Sequence, residues 1–281
     1  LSLAERRTGV ALSQNSAGSP GCTGVAVKRG GRLALGQNWD WRPQLDRNSV
    51  VLRIKQPGKP TVVTFTEAGM VGKIGCNSKR LGVCLNFLSH RGERRRGAPT
   101  TGVPVHVLLR RAMECRSTAE AVKTICAAPR CTCVNVLLAQ HTARGPVALD
   151  LETTPARVGK LKPLRGLLVH ANHFKHPALN RGCDRRTDPT TLDRDRDARR
   201  RARAMGRVRD PVRVAQHVLR GRGSGTPISR THADREQPTD SVTVSSVVMD
   251  LSAPGLPLHI TRGAPHRAPY VKHAGPLARA R

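Results

Sequence analysis

Apolar and polar positions over residues 22–90 alternate in short runs broken by turn residues, the pattern of antiparallel strands. Val25–Val27 and Leu33–Leu35 flank Gly30-Gly31, and Val50–Lys55 and Thr61–Thr66 flank Pro57-Gly58-Lys59-Pro60, so each pair predicts a hairpin. Val71–Ile74 and Leu81–Phe87 continue the series, with Asn77-Ser78 in the turn between them. The period then changes. Val105, Leu108, Leu109, Ala112 and Met113 form an apolar stripe at helical spacing, with Pro104 in the first turn. Ser117-Thr118 caps a second helix, which carries Glu120 near its start and buries Ala121, Val122 and Ile125.

Strands return at Thr132–Ala139, Val147–Glu152 and Gly166–Asn172. A short amphipathic helix is predicted from Val212, Val214, Ala215, Val218 and Leu219, ahead of Gly221–Gly225. Ser241–Leu251 and Leu256–Ile260 read as strands joined at Pro254-Gly255. Strand blocks around a central pair of helices, without an internal repeat, predict sheets layered with helices in an α+β fold.

Composition narrows this picture. The 281 residues fall within the range of one layered domain, and 38% hydrophobic content can supply a core. Trp39, Trp41, Phe65, Phe87, Phe174 and Tyr270 are the only aromatics, so the core must rest on Val, Leu, Ile and Ala. That scarcity argues against a pocket built to stack a large aromatic group. The net charge of +30 raises the question of nucleic acid, because Lys and Arg release counterions from phosphates. The charge is instead concentrated in Arg91–Arg96 and Arg181–Arg222, where stacking aromatics are nearly absent, and no recognised nucleic-acid-binding pattern occurs. Nonspecific adhesion to polyanions fits better than specific nucleic-acid recognition. Within the Arg-rich segment, acidic residues and arginines alternate over Asp184–Arg203, as in a solvated helix or a mobile excursion.

Eight irregularly spaced cysteines in a chain of this size predict free thiols in a reducing, cytoplasmic compartment. Cys126, Cys131, Cys133 and His141 could offer zinc ligands, but their spacing is not that of a zinc knuckle, and they read as structural, with no metal. No apolar run reaches 18 residues, so no transmembrane helix is expected. The opening residues Leu1–Arg7 contain neither a signal peptide nor an initiator Met, and residues 1–21 are expected to be the remnant of a longer segment.

The candidate chemistry lies at Gly21-Cys22-Thr23, ahead of the first strand. The hairpin that follows returns the chain to its starting end, so Asp40, in Gly36–Trp41, is expected near Cys22. Further segments follow in order: Thr66–Gly69, Gly72–Ser78, Thr101–Pro104 with His106, and Val169–His173. With Gly21–Thr23 and Gly36–Asp40, these resemble the acyl-coenzyme A:6-aminopenicillanic acid acyltransferase family, the peptidase C45-like N-terminal-nucleophile hydrolases, and more distantly the choloylglycine hydrolases. The likeness runs over about 160 residues (Gly21 to Asn180), weakens in the Arg-rich segment and returns in part at Pro227–Arg230 and Ser241–Asp250.

This resemblance implies a four-layer αββα sandwich, self-cleavage before Cys22, and no cofactor. Residues 22–281 would be the catalytic domain, and the cleaved N-terminal segment, ending with Leu3–Thr8 and Gly21, its partner. Cys22 would supply both thiol nucleophile and α-amine base, Asp40 would orient that amine, and Asn172 would donate to the oxyanion. Arg230 would stabilise charge or bind a substrate carboxylate, and Thr23 and Ser229 would face the substrate. The substrate class implied is a small-molecule acyl amide, with acyl-coenzyme A as an acyl donor. Two other function classes stay open: a noncatalytic or truncated relative, and a basic polyanion binder.

Overall fold

The computed structural model describes residues 21–94, 101–184, 189–223, 227–234 and 241–278. The expected pro-segment remnant, apart from Gly21, lies outside the described residues, as do residues 185–188 of the Arg-rich segment.

Two antiparallel sheets face each other. The first contains β1 (Thr23–Arg29), β2 (Arg32–Trp41), β10 (Leu167–His170), β11 (Val242–Asp250), β12 (Leu258–Arg262) and β13 (Val271–His273), in the order β10-β1-β2-β11-β12-β13. The second runs in simple sequence order through β3 (Ser49–Ile54), β4 (Val62–Glu67), β5 (Ile74–Asn77), β6 (Leu81–Phe87), β7 (Val134–Thr142), β8 (Gly145–Thr153) and β9 (Val158–Leu161). Gly30 and Gly31 both take positive φ, 55° and 70°, the two-residue turn that lets Arg29 pair with Arg32.

Alternation on β1 and β2 explains the layering. Cys22, Ala26, Leu33, Leu35 and Trp39 point between the sheets into the main core, with Val63, Ile74, Cys84 and Leu137 of the second sheet. Val25, Val27, Ala34 and Val248 point the other way into a separate apolar cluster. That outer cluster is closed by α4 (Thr191–Ala204) and α5 (Pro211–Leu219), through Ala198, Ala202, Val214, Ala215, Val218 and Leu219. On the far face of the second sheet lie α1 (Val105–Met113) and α2 (Thr118–Ala127). A one-turn helix, α3 (Pro177–Asn180), sits in the connection after β10. The result is the expected four-layer αββα sandwich.

Local signals account for most elements. The Ser117 side chain accepts from the Glu120 N–H at 3.1 Å and starts α2, while Asp210 does the same for Val212 at 3.0 Å and starts α5. The strand expected at Val71–Ile74 begins only at Ile74, because the preceding residues turn so that Lys73 can be buried. β7 begins at Val134, later than expected, which leaves Cys131 and Cys133 in the bend before it; Cys126 is exposed. The Arg-rich stretch over 191–204 is a helix with one face in the core, and so differs from a solvated or mobile segment. No helix among the described residues is long and apolar enough to cross a membrane.

Candidate active site

Cys22 stands at the N-terminal end of β1 and is fully buried, still joined to Gly21. Its Sγ lies 3.8 Å from the Asp40 carbonyl oxygen, so the hairpin brings the two residues together as the pattern predicted. Burial, and then the Asp40 carboxylate, push the Cys22 thiol up to about 12, against the opposing pull of Arg194 and Lys73. In the uncut chain the thiol therefore stays protonated at neutral pH.

The Asp40 side chain points to the helix-covered face of its sheet. Its Oδ1 accepts from the Thr243 hydroxyl at 2.6 Å, across the β2–β11 pairing, and its Oδ2 lies 3.8 Å from Arg230 Nε. Arg230 is held by Thr243 and Ser241: its N–H donates to Thr243 Oγ1 at 2.9 Å, and its guanidinium reaches Ser241 Oγ at 3.3 Å and Thr190 Oγ1 at 2.7 Å. The guanidinium also packs on Gly21, where an added Cβ would lie 2.7 Å from the guanidinium carbon. Glycine is thus the residue that lets Arg230 press against the Gly21–Cys22 peptide.

Asn172 follows β10, which pairs with β1 beside Cys22. Its N–H donates to Thr191 Oγ1 at 2.7 Å and its Nδ2 to the Phe87 carbonyl at 2.9 Å. Cys22 and Asn172 meet through Arg194 of α4, which was not anticipated from sequence. One guanidinium donates to the Cys22 carbonyl at 2.6 Å, Thr23 Oγ1 at 2.9 Å and Asn172 Oδ1 at 2.9 Å, and Nε reaches Thr190 Oγ1 at 3.2 Å. The signal was present but faint: Arg194, Ala198 and Ala202 fall four apart, the small-residue face of an otherwise charged run.

The remaining expectations divide. The Thr23 hydroxyl is at the site, bound to Arg194. Ser229 is fully buried, but its hydroxyl pairs with His266 Nδ1 at 2.7 Å, so it bears on the site through its neighbour Arg230. Three of the six aromatics gather together, with Trp39–Trp41 ring centroids 5.2 Å apart and Trp41–Phe87 5.7 Å apart. Trp39 also carries the buried Lys73 3.9 Å over its ring and donates to Glu67 at 2.9 Å, while Lys73 and Glu67 pair at 2.5 Å.

Beneath Asn172 lies a second buried charge cluster. His170 Nε2 meets Glu152 at 2.8 Å and its Nδ1 meets the Ala171 carbonyl at 2.7 Å. Two acceptors on the two ring nitrogens require both to carry protons, an imidazolium. Burial opposes that charge, but Asp150 and Glu152 outweigh it and raise the His170 pKa. Glu152 also receives the Lys175 and His176 N–H groups at 2.7 and 2.9 Å, which fixes the loop that carries Asn172. Burial raises Asp150 to about 6 despite the nearby imidazolium. Gln37, Asn86, Asn135 and Asp150 continue the network from one sheet to the other.

Comparison with known proteins gives a family and a fold. The family model for acyl-coenzyme A:6-aminopenicillanic acid acyl-transferase matches residues 27–199, beginning just after Cys22. The acyl-coenzyme A:6-aminopenicillanic-acid-acyltransferase 40 kDa form of Emericella nidulans is 36% identical over 154 residues, 54% of this chain and 41% of that protein. The aligned stretch thus spans about two fifths of that relative's length. Among solved structures, a Caenorhabditis elegans N-acylethanolamine-hydrolyzing acid amidase ortholog superposes with TM-score 0.57 at 16% identity, covering 83% of this chain and 94% of that one. A mutant of the conjugated bile acid hydrolase from Clostridium perfringens gives TM-score 0.56 at 17% identity, covering 89% and 92%. These two likenesses show the fold alone.

Proposed function

This chain belongs to the acyl-coenzyme A:6-aminopenicillanic acid acyl-transferase family, and from that premise we propose that it is a self-cleaving N-terminal cysteine amidohydrolase or acyltransferase acting on N-acyl amides. The observation that supports this most is the meeting of separate chain segments around Gly21 and Cys22. Asp40 from β2 lies against the Cys22 thiol, Arg230 from the connection before β11 packs on Gly21, and Arg194 joins the Cys22 carbonyl to Asn172.

In the processing step, Cys22 Sγ attacks the Gly21 carbonyl carbon. The C–N bond breaks, the acyl group passes to sulfur, and the thiol proton goes to the released nitrogen. Water then hydrolyses the thioester, leaving a Gly21 carboxyl group and a Cys22 with free thiol and free α-amine. An α-amine of ordinary pKa, about 7.7–8.0, is matched to take the proton of a thiol near neutral pH. Asp40 would orient that amine. In turnover the thiol attacks a substrate amide carbonyl, Asn172 donates to the oxyanion, and the proton moves through the α-amine to the departing amine. Water or an acceptor amine then takes the acyl group from sulfur. An acyl-coenzyme A would enter the same route, since a thiol leaves more readily than an amine. A preorganised donor such as Asn172 lowers the barrier by about 3–4 kcal/mol.

Intact-mass measurement on purified protein tests the first step. Wild type is expected to lose the residues before Cys22, and Cys22→Ala to remain whole. A panel of amides and thioesters, assayed with and without a thiol-blocking reagent, tests the second. An uncleaved wild type with no thiol-dependent turnover overturns the reading and leaves a noncatalytic relative.

A further inference from the structure

We infer that Arg194 is a positioning residue for this site: it fixes the orientation of the Asn172 amide and ties it to the Cys22 main chain. The inference rests on the reading of Cys22 as nucleophile and adds a residue that the sequence analysis did not assign to the site. A side-chain amide can be turned by 180° with little change in shape, and only one orientation offers N–H to an oxyanion. The partners of Asn172 settle which it is. A guanidinium only donates, so the atom facing Arg194 at 2.9 Å must be Oδ1. A main-chain carbonyl only accepts, so the atom facing Phe87 O at 2.9 Å must be Nδ2. One N–H of Nδ2 then remains for the substrate.

The same guanidinium donates to the Cys22 carbonyl at 2.6 Å. Nucleophile and oxyanion donor thus hang on one planar, rigid group. Arg194 itself is fully buried and is steered by Thr190, whose hydroxyl also receives Arg230. Thr191, next in the chain, receives the Asn172 N–H at 2.7 Å and faces His173 Nδ1 at 2.9 Å. The first turn of α4 therefore holds Asn172 by main chain and side chain at once. A lysine at 194 would keep the charge but could not span Cys22 O and Asn172 Oδ1 with a fork.

The test uses the self-processed protein and a double-mutant cycle. Arg194→Met is expected to lower kcat about 100-fold, the size of loss seen when an oxyanion donor is removed, with KM changed less than about threefold. Introduced into Asn172→Ala, the same change is expected to cost less than about threefold further, because the group it positions is already gone. The limb of the pH–rate profile that reports thiol ionisation is expected to move to higher pH, since a cation near Cys22 is lost. If Arg194→Met does not fold, as judged by circular dichroism, Arg194→Lys is carried through the same cycle with the same expectations for kcat and KM, and with the pH limb unmoved because the charge is kept. Losses that multiply in the double variant, or an unchanged kcat in the single one, overturn this inference alone. A wild type without thiol-dependent turnover overturns it together with the nucleophile reading.

Discussion

The two helical layers cover their sheets in opposite chemical styles. Over the seven-stranded sheet, α1 and α2 bury Val105, Leu108, Leu109, Met113, Ala121 and Ile125. Even their polar tether is structural: Asn77 Nδ2 donates to the Met113 and Cys115 carbonyls at 2.7 Å each and closes the end of α1. Over the six-stranded sheet, α4 buries two alanines, a threonine, an aspartate and an arginine. It gives up apolar area to bring Thr190, Thr191 and Arg194 against Cys22 and Asn172. One layer stabilises; the other stabilises less and forms a wall of the site. Being helical and covering a sheet does not say which task a segment has.

Substitutions that separate the two tasks sharpen this contrast. The largest effect on turnover is expected at Arg194, with stability changed far less in relative terms. On the other layer, Leu109→Ala is expected to cost about 2–5 kcal/mol, read as a fall in the thermal or denaturant midpoint, while kcat per folded molecule stays within about twofold. A loss of kcat in properly folded Leu109→Ala protein would break the contrast. Asp150→Asn comes next. Because Asp150 in the folded protein titrates near 6, above the ordinary carboxylate value of about 3.9, its contribution to stability is present below the unfolded value and is lost as pH rises through about 6. The asparagine variant never ionises, so its melting temperature relative to wild type is expected to rise by a few °C, on the order of 2–6, between pH 5 and pH 8. A difference that stays flat over that interval would show that Asp150 does not titrate there. The smallest effect is expected on the outer face of α4. Arg196, paired with Asp193 and 75% exposed in its side chain, can be changed to Ala with less than about 0.5 kcal/mol in stability and no change in kcat.

This ranking also explains what could be read in the sequence. The hairpin around Gly30-Gly31 placed Asp40 beside Cys22, because a two-residue turn leaves no freedom in register. The stripe of α1 and the Ser117 cap were legible for a similar reason: both are local rules. Arg194 was not, since it shares composition with Arg196, Arg199 and Arg200, and only the folded chain decides which arginine turns inward. Thr243 stayed hidden because it meets Asp40 across two hundred residues of chain. β9 and β13 are short edge strands whose sequences carry little alternation. Ser229 entered through the family resemblance over Pro227–Arg230, and its hydroxyl pairs with His266, a partner 37 residues away that no local pattern announces.

The amide relay from Gln37 to Asp150 has a consequence of its own. Gln37 bonds Asn86 across the gap between the sheets, and Asn86 also donates to the His170 carbonyl of the first sheet at 3.0 Å, while the Asn86–Asn135 and Asn135–Asp150 bonds run along the second sheet. The cross-sheet bonds exist only if the two sheets face each other in this one alignment. Sliding one sheet over the other by one residue would strand Gln37 and Asn86 in a dry interior at about 1–3 kcal/mol apiece. Apolar side chains, by contrast, would tolerate the slip. The relay thus works like the notches of a key: its value lies in the alignments it refuses, and the alignment it accepts is the one that sets Gln37 of β2 and His170 of β10 against Asn86 of β6.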